Sequence, residues 1–173
     1  MKKLILSLSA LAIVSTIVLV ACSKDNNDSG STTLKVKLTD RPGAYDEVNV
    51  DIQEVRVNYR SDTTDWASFG TNAGIYDLLT LQNGIDTVLA TGVVPTNSVK
   101  QIRFILGPNN TIKVGGVVYP LTVPSGSESG LKLMINKQLT GQLDSLIIDF
   151  DAALSIHQLG NGTYQLKPVL RVK

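Results

Sequence analysis

Val48-Asn49-Val50-Asp51-Ile52-Gln53-Glu54-Val55-Arg56-Val57-Asn58-Tyr59 alternates apolar and polar residues twice, in opposite phase. Val48, Val50 and Ile52 mark one face of a strand, because successive strand side chains point to opposite sides. Val55, Val57 and Tyr59 keep the rhythm on the other parity. A slip of one residue would send an apolar set into solvent. The change of phase at Gln53-Glu54 therefore predicts a β-bulge, or a strand that leaves one sheet and joins another. Either device belongs to an all-β domain.

The same rhythm recurs on both sides of this stretch. Leu34, Val36 and Leu38 alternate with Lys35, Lys37 and Thr39, a half-buried strand with one wet face. Asp40-Arg41-Pro42-Gly43 turns the chain. Residues 60–73 read as a loop carrying Trp66 and Phe69. Residues 75–81 are an apolar run closed by the turn signal Asn83-Gly84. Ile102, Phe104 and Leu106 share one face of a strand over 99–106. Residues 111–114 and 117–123 flank Gly115-Gly116 as a hairpin. Leu131, Leu133 and Ile135 mark another strand, Leu146, Ile148 and Phe150 the next, and Gly160-Asn161-Gly162 introduces a last one over 163–172. No stretch sustains a helical period with caps. About nine or ten short strands predict a two-sheet antiparallel β-sandwich.

Ahead of these strands lies a different kind of sequence. Lys2 and Lys3 precede an apolar run from Leu4 to Val20, and Leu19-Val20-Ala21-Cys22 resembles the bacterial lipobox. The run is slightly short for a membrane span and suits the hydrophobic part of a secretory signal. The expectation is a signal peptide over 1–21, with Cys22 carrying a diacylglyceryl group and an acylated amine. Two or three acyl chains anchor stably where one does not. Residues 22–33 then form the acylated cysteine and a polar tether spanning on the order of 18 Å, and 34–173 form a single β-sandwich domain. The implied place is the outer membrane, with the domain on its periplasmic or its outer face. Lys24-Asp25 and Asp28 look like the charged export signal of some surface lipoproteins, and equally like any solvated tether.

Composition narrows the partners. The chain of 173 residues has a formal net charge of +1. No basic patch stands out, which argues against nucleic acid. Cys22 is the only cysteine, so an acylated Cys22 leaves no disulfide, thiolate metal site or catalytic thiol. The membrane, reached through the lipid anchor, is the first expected partner.

Several phrases in order are similar to one family: Leu38-Thr39-Asp40-Arg41-Pro42-Gly43, Tyr76-Asp77-Leu78-Leu79-Thr80-Leu81-Gln82-Asn83-Gly84, Gln101-Ile102-Arg103, Leu121-Thr122-Val123-Pro124-Ser125-Gly126, Ser129-Gly130-Leu131-Lys132-Leu133, Asp149-Phe150-Asp151-Ala152 and Leu166-Lys167-Pro168-Val169. Together they resemble domain-of-unknown-function family 4382 of bacterial lipoproteins, over nearly all of 34–172. The resemblance implies a carbohydrate-binding-like or prealbumin-like sandwich. It implies no activity and carries over no catalytic residue. Val94-Pro95-Thr96-Asn97-Ser98-Val99-Lys100 departs from the family pattern, where Gly and Tyr are expected.

Catalytic constellations are thin. Gly126-Ser127-Glu128-Ser129-Gly130 is not a nucleophile elbow, because its centre is Glu128 and no strand-to-helix context surrounds it. It also lacks the Lys-Ser or Lys-Thr of a phosphate loop. His157 is the only histidine, so any Ser-His-Asp set must use it; a surface histidine in a hairpin is the plainer reading. Asp149 and Asp151, at i and i+2, share a strand face and are the candidate Ca²⁺ ligands. Solvation or pairing with Lys or Arg across the strand is the competing reading. For a ligand site, Trp66 is the best stacking platform, with Tyr119 and Tyr164 behind it. Sandwich loops cluster at the two ends, which predicts a site of Trp66 with Asp40, Arg41 and Tyr45. Trp66 as a plug for one end is the alternative. The expected function is a lipid-anchored, non-enzymatic binding module for glycans. A structural or assembly subunit of an envelope protein complex is the other class.

Overall fold

The computed structural model describes residues 31–60, 65–95, 98–124 and 130–173. Cys22, the expected signal peptide, the tether up to residue 30 and residues 125–129 lie outside the described residues. The strands in chain order are β1 (Thr32–Thr39), β2 (Glu47–Asn58), β3 (Ala67–Ser68), β4 (Gly70–Thr71), β5 (Gly74–Asp77), β6 (Thr87–Val94), β7 (Ser98–Leu106), β8 (Thr111–Val114), β9 (Val117–Thr122), β10 (Leu131–Gln138), β11 (Leu143–Phe150), β12 (Ile156–Gln158), β13 (Tyr164–Leu166) and β14 (Leu170–Val172). A 3₁₀ turn (Leu78–Leu81) follows β5, and one helical turn, α1 (Ala152–Ser155), follows β11.

These strands build an all-β sandwich of two mixed sheets packed together. The smaller sheet runs β14-β11-β1-β6-β4, and the larger runs β10-β7-β2-β8-β9-β13-β12, with β3 and β5 also paired to β2. The expectation of a wholly antiparallel sandwich needs correction. β1 pairs with β11 in parallel, Thr33 opposite Leu143 through Thr39 opposite Asp149. β9 and β13 are also parallel. Alternation reports which face a residue takes but not the direction of its partner, so the sequence pattern was silent here.

The phase change in β2 is a bulge. The register with β7 shifts between Ile52 and Glu54. Val48, Val50 and Ile52 on one side of it, and Val55 and Val57 on the other, are all fully buried. They face Leu34, Val36 and Leu38 of β1 in one core that also takes in Phe104 and Phe150. Each such side chain contributes about 1.5–3 kcal/mol by leaving water.

β2 organises the larger sheet. β7 pairs with its second half and β8 with its first. Between them the chain detours at residues 107–110. Buried Asp51 fills the detour: its carbonyl accepts from Gly107 N at 2.8 Å, its Oδ2 accepts from Asn109 N at 3.1 Å, and its own amide donates to Asn110 Oδ1 at 2.9 Å. Gly107 lies so close that a Cβ there would overlap the Asp51 carboxylate.

Two stretches differ from the sequence pattern. The expected loop over 60–73 contains β3 and β4, which belong to different sheets, so this segment crosses the sandwich. The expected strand over 163–172 is broken at 167–169 into β13 in the larger sheet and β14 in the smaller.

Candidate functional site

Because β1 and β11 run parallel, their C-terminal ends meet, and the turn after β1 falls beside the turn after β11. Asp40 and Asp149 come together there. Asp40 is buried, and its Oδ1 accepts from Ala152 N at 2.9 Å. Burial pushes its carboxyl above the ordinary aspartate range; the Ala152 and Arg41 amides and the Gln82 side chain pull the other way, and Asp149 adds to the rise. Asp149 Oδ2 accepts from Arg41 Nε at 2.6 Å, with the Asp149 side chain 2% exposed and that of Arg41 52%. Asp149 Oδ1 is buried without a hydrogen-bond partner.

Asp151 has left the strand. It caps α1, its Oδ1 accepting from Leu154 N at 3.0 Å, and its carbonyl accepts from Ser155 Oγ at 2.6 Å. Asp149 and Asp151 therefore do not present a shared carboxylate face: one holds Arg41, the other a helix start. Among the described residues no group of three His, Cys, Asp or Glu side chains could hold a metal ion. Tyr45 is half-buried, and burial raises its phenol above the ordinary range. The described part of this corner ties two turns to each other with aspartates.

Trp66 lies elsewhere. It immediately precedes β3, whose Ala67 and Ser68 pair with Val57 and Arg56 near the far end of β2. Asp40, Arg41 and Tyr45 precede the near end. Ten strand residues span about 33 Å, so the two halves of the expected site stand apart. Trp66 is half-buried and does not plug an end of the core. It lies over the outward face of the larger sheet, with the guanidinium carbon of Arg103 at 4.1 Å from its ring centroid.

Around this contact the strands align a row of cations. Lys132 of β10 is opposite Arg103 of β7, and Arg103 is opposite Arg56 of β2. Residues opposite each other in register share a face, with Cβ atoms about 5 Å apart. Arg56 donates from Nη2 to Glu54 Oε2 at 2.6 Å, and Ser68 Oγ donates to Glu54 Oε1 at 2.5 Å. Arg103 has no such carboxylate among the described residues. The Nε atoms of both arginines are buried without hydrogen-bond partners. Burial, and then the charge of Arg56, hold the Arg103 guanidinium below the ordinary arginine range.

Gly130 also packs against Arg103. A Cβ there would stand 2.7 Å from Arg103 Cγ and 2.6 Å from Ile105 Cδ1, and its φ of +79° suits glycine. The end of the 124–130 connection thus shares this face with Trp66.

Residues 31–168 match a protein family described as a domain of unknown function, DUF4382. The chain belongs to DUF4382. The match to DUF4382 begins at the start of β1 and stops just short of β14, which closes the smaller sheet against β11. No curated protein and no solved structure matches this DUF4382 chain.

Arg56, Arg103 and Lys132 were not singled out in the sequence. Each is the polar member of an alternating strand, and such residues usually mark only a wet face. Register brings them together, and alternation does not encode register. His157 is exposed on β12. A hollow of about 550 Å³ between 106–110 and 120–123 is lined without any charged or aromatic side chain.

Proposed function

We propose that this protein is a lipid-anchored lipoprotein of the bacterial outer membrane whose β-sandwich binds a glycan without acting on it. The anchor half of the reading is supported by Lys2-Lys3, the apolar run and Leu19-Val20-Ala21-Cys22. The binding half is carried by one observation: the sole tryptophan and an arginine without a carboxylate partner among the described residues meet on the outward face of a sheet. Trp beside a charged fork is a common way to hold a polar ring. The only histidine is exposed on a short strand away from this face, which favours binding over chemistry.

The test is a glycan array probed with the purified lipoprotein in detergent. Saturable binding to a defined class of saccharide is the expected result. A second reading, an assembly subunit of an envelope complex, is favoured by β10. It ends its sheet, and Met134 on it is 62% exposed. An end strand offers its open backbone edge to a partner strand. Pull-down from membranes separates the two: stoichiometric protein partners support the second reading, retained glycan the first.

A further inference from the structure

We propose that the row Arg56-Arg103-Lys132 is an oxyanion site, and that the glycan bound there is acidic, carrying a carboxylate or sulfate. This rests on the glycan-binding reading and adds its location and charge.

Three cations stand side by side on adjacent strands, with Arg103 in the middle. Like charges directly opposite in a sheet are destabilising. Among the described residues one carboxylate, Glu54, offsets this, at the Arg56 end. The row therefore keeps an excess of positive charge at Arg103 that no side chain among the described residues neutralises. Burying part of a guanidinium without a partner is a further cost. An oxyanion between Arg103 and Lys132 offsets the excess charge, because a guanidinium presents a fork of N–H donors matched to carboxylate or sulfate oxygens.

The site is also built in advance. The indole of Trp66 covers the guanidinium, and Gly130 packs against its aliphatic stem. Little side-chain freedom remains to be lost on binding. Lys132, exposed on the end strand, leaves the row open at one side. The charge is local: the whole chain is only +1. That suits one oxyanion per sugar and not a continuous polyanion such as a duplex.

Trp66 is the only tryptophan, so its fluorescence reports this site. The full lipoprotein in detergent is titrated with oligogalacturonate, with a sulfated galactan oligomer and with a neutral galactan oligomer. Expected is a saturable fluorescence change with one or both acidic probes, weakened by salt, and none with the neutral one; which acidic probe binds tells carboxylate from sulfate. Arg103→Gln should weaken binding at least about tenfold, one lost charge-assisted contact. Lys132→Gln, on an exposed residue that does not threaten the fold, should weaken it by about threefold to tenfold. Lys35→Gln, on the other sheet, should leave it unchanged. Acidic probes that bind equally well to the Arg103→Gln and Lys132→Gln variants overturn this site while the glycan reading stands. Binding of the neutral probe alone does the same. Binding of no saccharide on the array overturns both.

Discussion

The amide of Ala152 donates to Asp40 Oδ1 across 112 residues of sequence, at 2.9 Å, and the receiving carboxyl is buried. Because burial raises its folded pKa above the ordinary 3.8, the folded state binds more protons than the unfolded chain at pH values just above 3.8. Stability then falls as pH rises through that window. Asp144 has the opposite sign. Burial opposes the shift, but the Thr140 and Ser145 amides and Lys137 hold its pKa below 3.8, so its contribution is present above 3.8 and lost as pH falls below it. Urea midpoints measured from about pH 3 to pH 7 should show both limbs. Asp40→Asn should flatten the upper one and Asp144→Asn the lower. An Asp40→Asn protein with an unchanged upper limb would show that Asp40 titrates alike in both states.

Arg41 is half-exposed, yet the carboxylate it holds is not. Arg41→Ala removes the counter-charge of a buried group whose other oxygen is already without a partner. The expected loss is about 1–3 kcal/mol, below the value for a fully buried pair because water reaches the arginine side. In an Asp149→Asn background the same change should cost less than about 0.5 kcal/mol. A double-mutant cycle by denaturant unfolding reads the difference; equal losses in both backgrounds would mean that Arg41 acts through packing alone.

Gly107→Ala places a methyl against the Asp51 carboxylate. The carboxylate is held by Asn109 N and the Gln53 side chain, so it cannot move without breaking those bonds. Overpacking here should destabilise by about 1–3 kcal/mol. Gly74→Ala meets no atom within 4 Å and should change stability by less than about 0.5 kcal/mol. Thermal melts of the two variants side by side check the contrast.

On the proposed lipoprotein reading, in which the Cys22 thiol accepts the first acyl group, Cys22→Ala should leave an uncleaved precursor that takes up no labelled fatty acid. Gel mobility and metabolic labelling read this directly. A cleaved and still labelled Cys22→Ala protein would place the anchor elsewhere.

The strands that alternate cleanly were legible. Val48 to Val57 even gave away its bulge, because the inner parity changes at one point and both halves are buried. β6 was not foreseen. Its burial has two inward neighbours, Leu89 and Ala90, beside a register shift against β1 between Val36 and Lys37, so the alternation is broken where it would have been read. The candidate site was half legible. Trp66 was noticeable as the only tryptophan. The partners assigned to it were wrong in place, because Asp40, Arg41 and Tyr45 sit at the opposite end of β2, and Arg103 reaches it through strand register that local sequence does not reveal.

The parallel seam between β1 and β11 has a consequence for the birth of the molecule. The hydroxyl of Thr32 donates to the carbonyl of Gly141, 109 residues later, at the start of that seam. Synthesis delivers β1 early and β11 almost last. β6 can pair with one flank of β1 soon after it appears, but the other flank stays bare until nearly the whole sandwich is out. For that interval the smaller sheet carries an unpaired edge in its middle, a template for any extended neighbour. Such late closure slows folding and prolongs the exposure of that edge. A chain that stalls before residue 143 is left with its central strand open on one side.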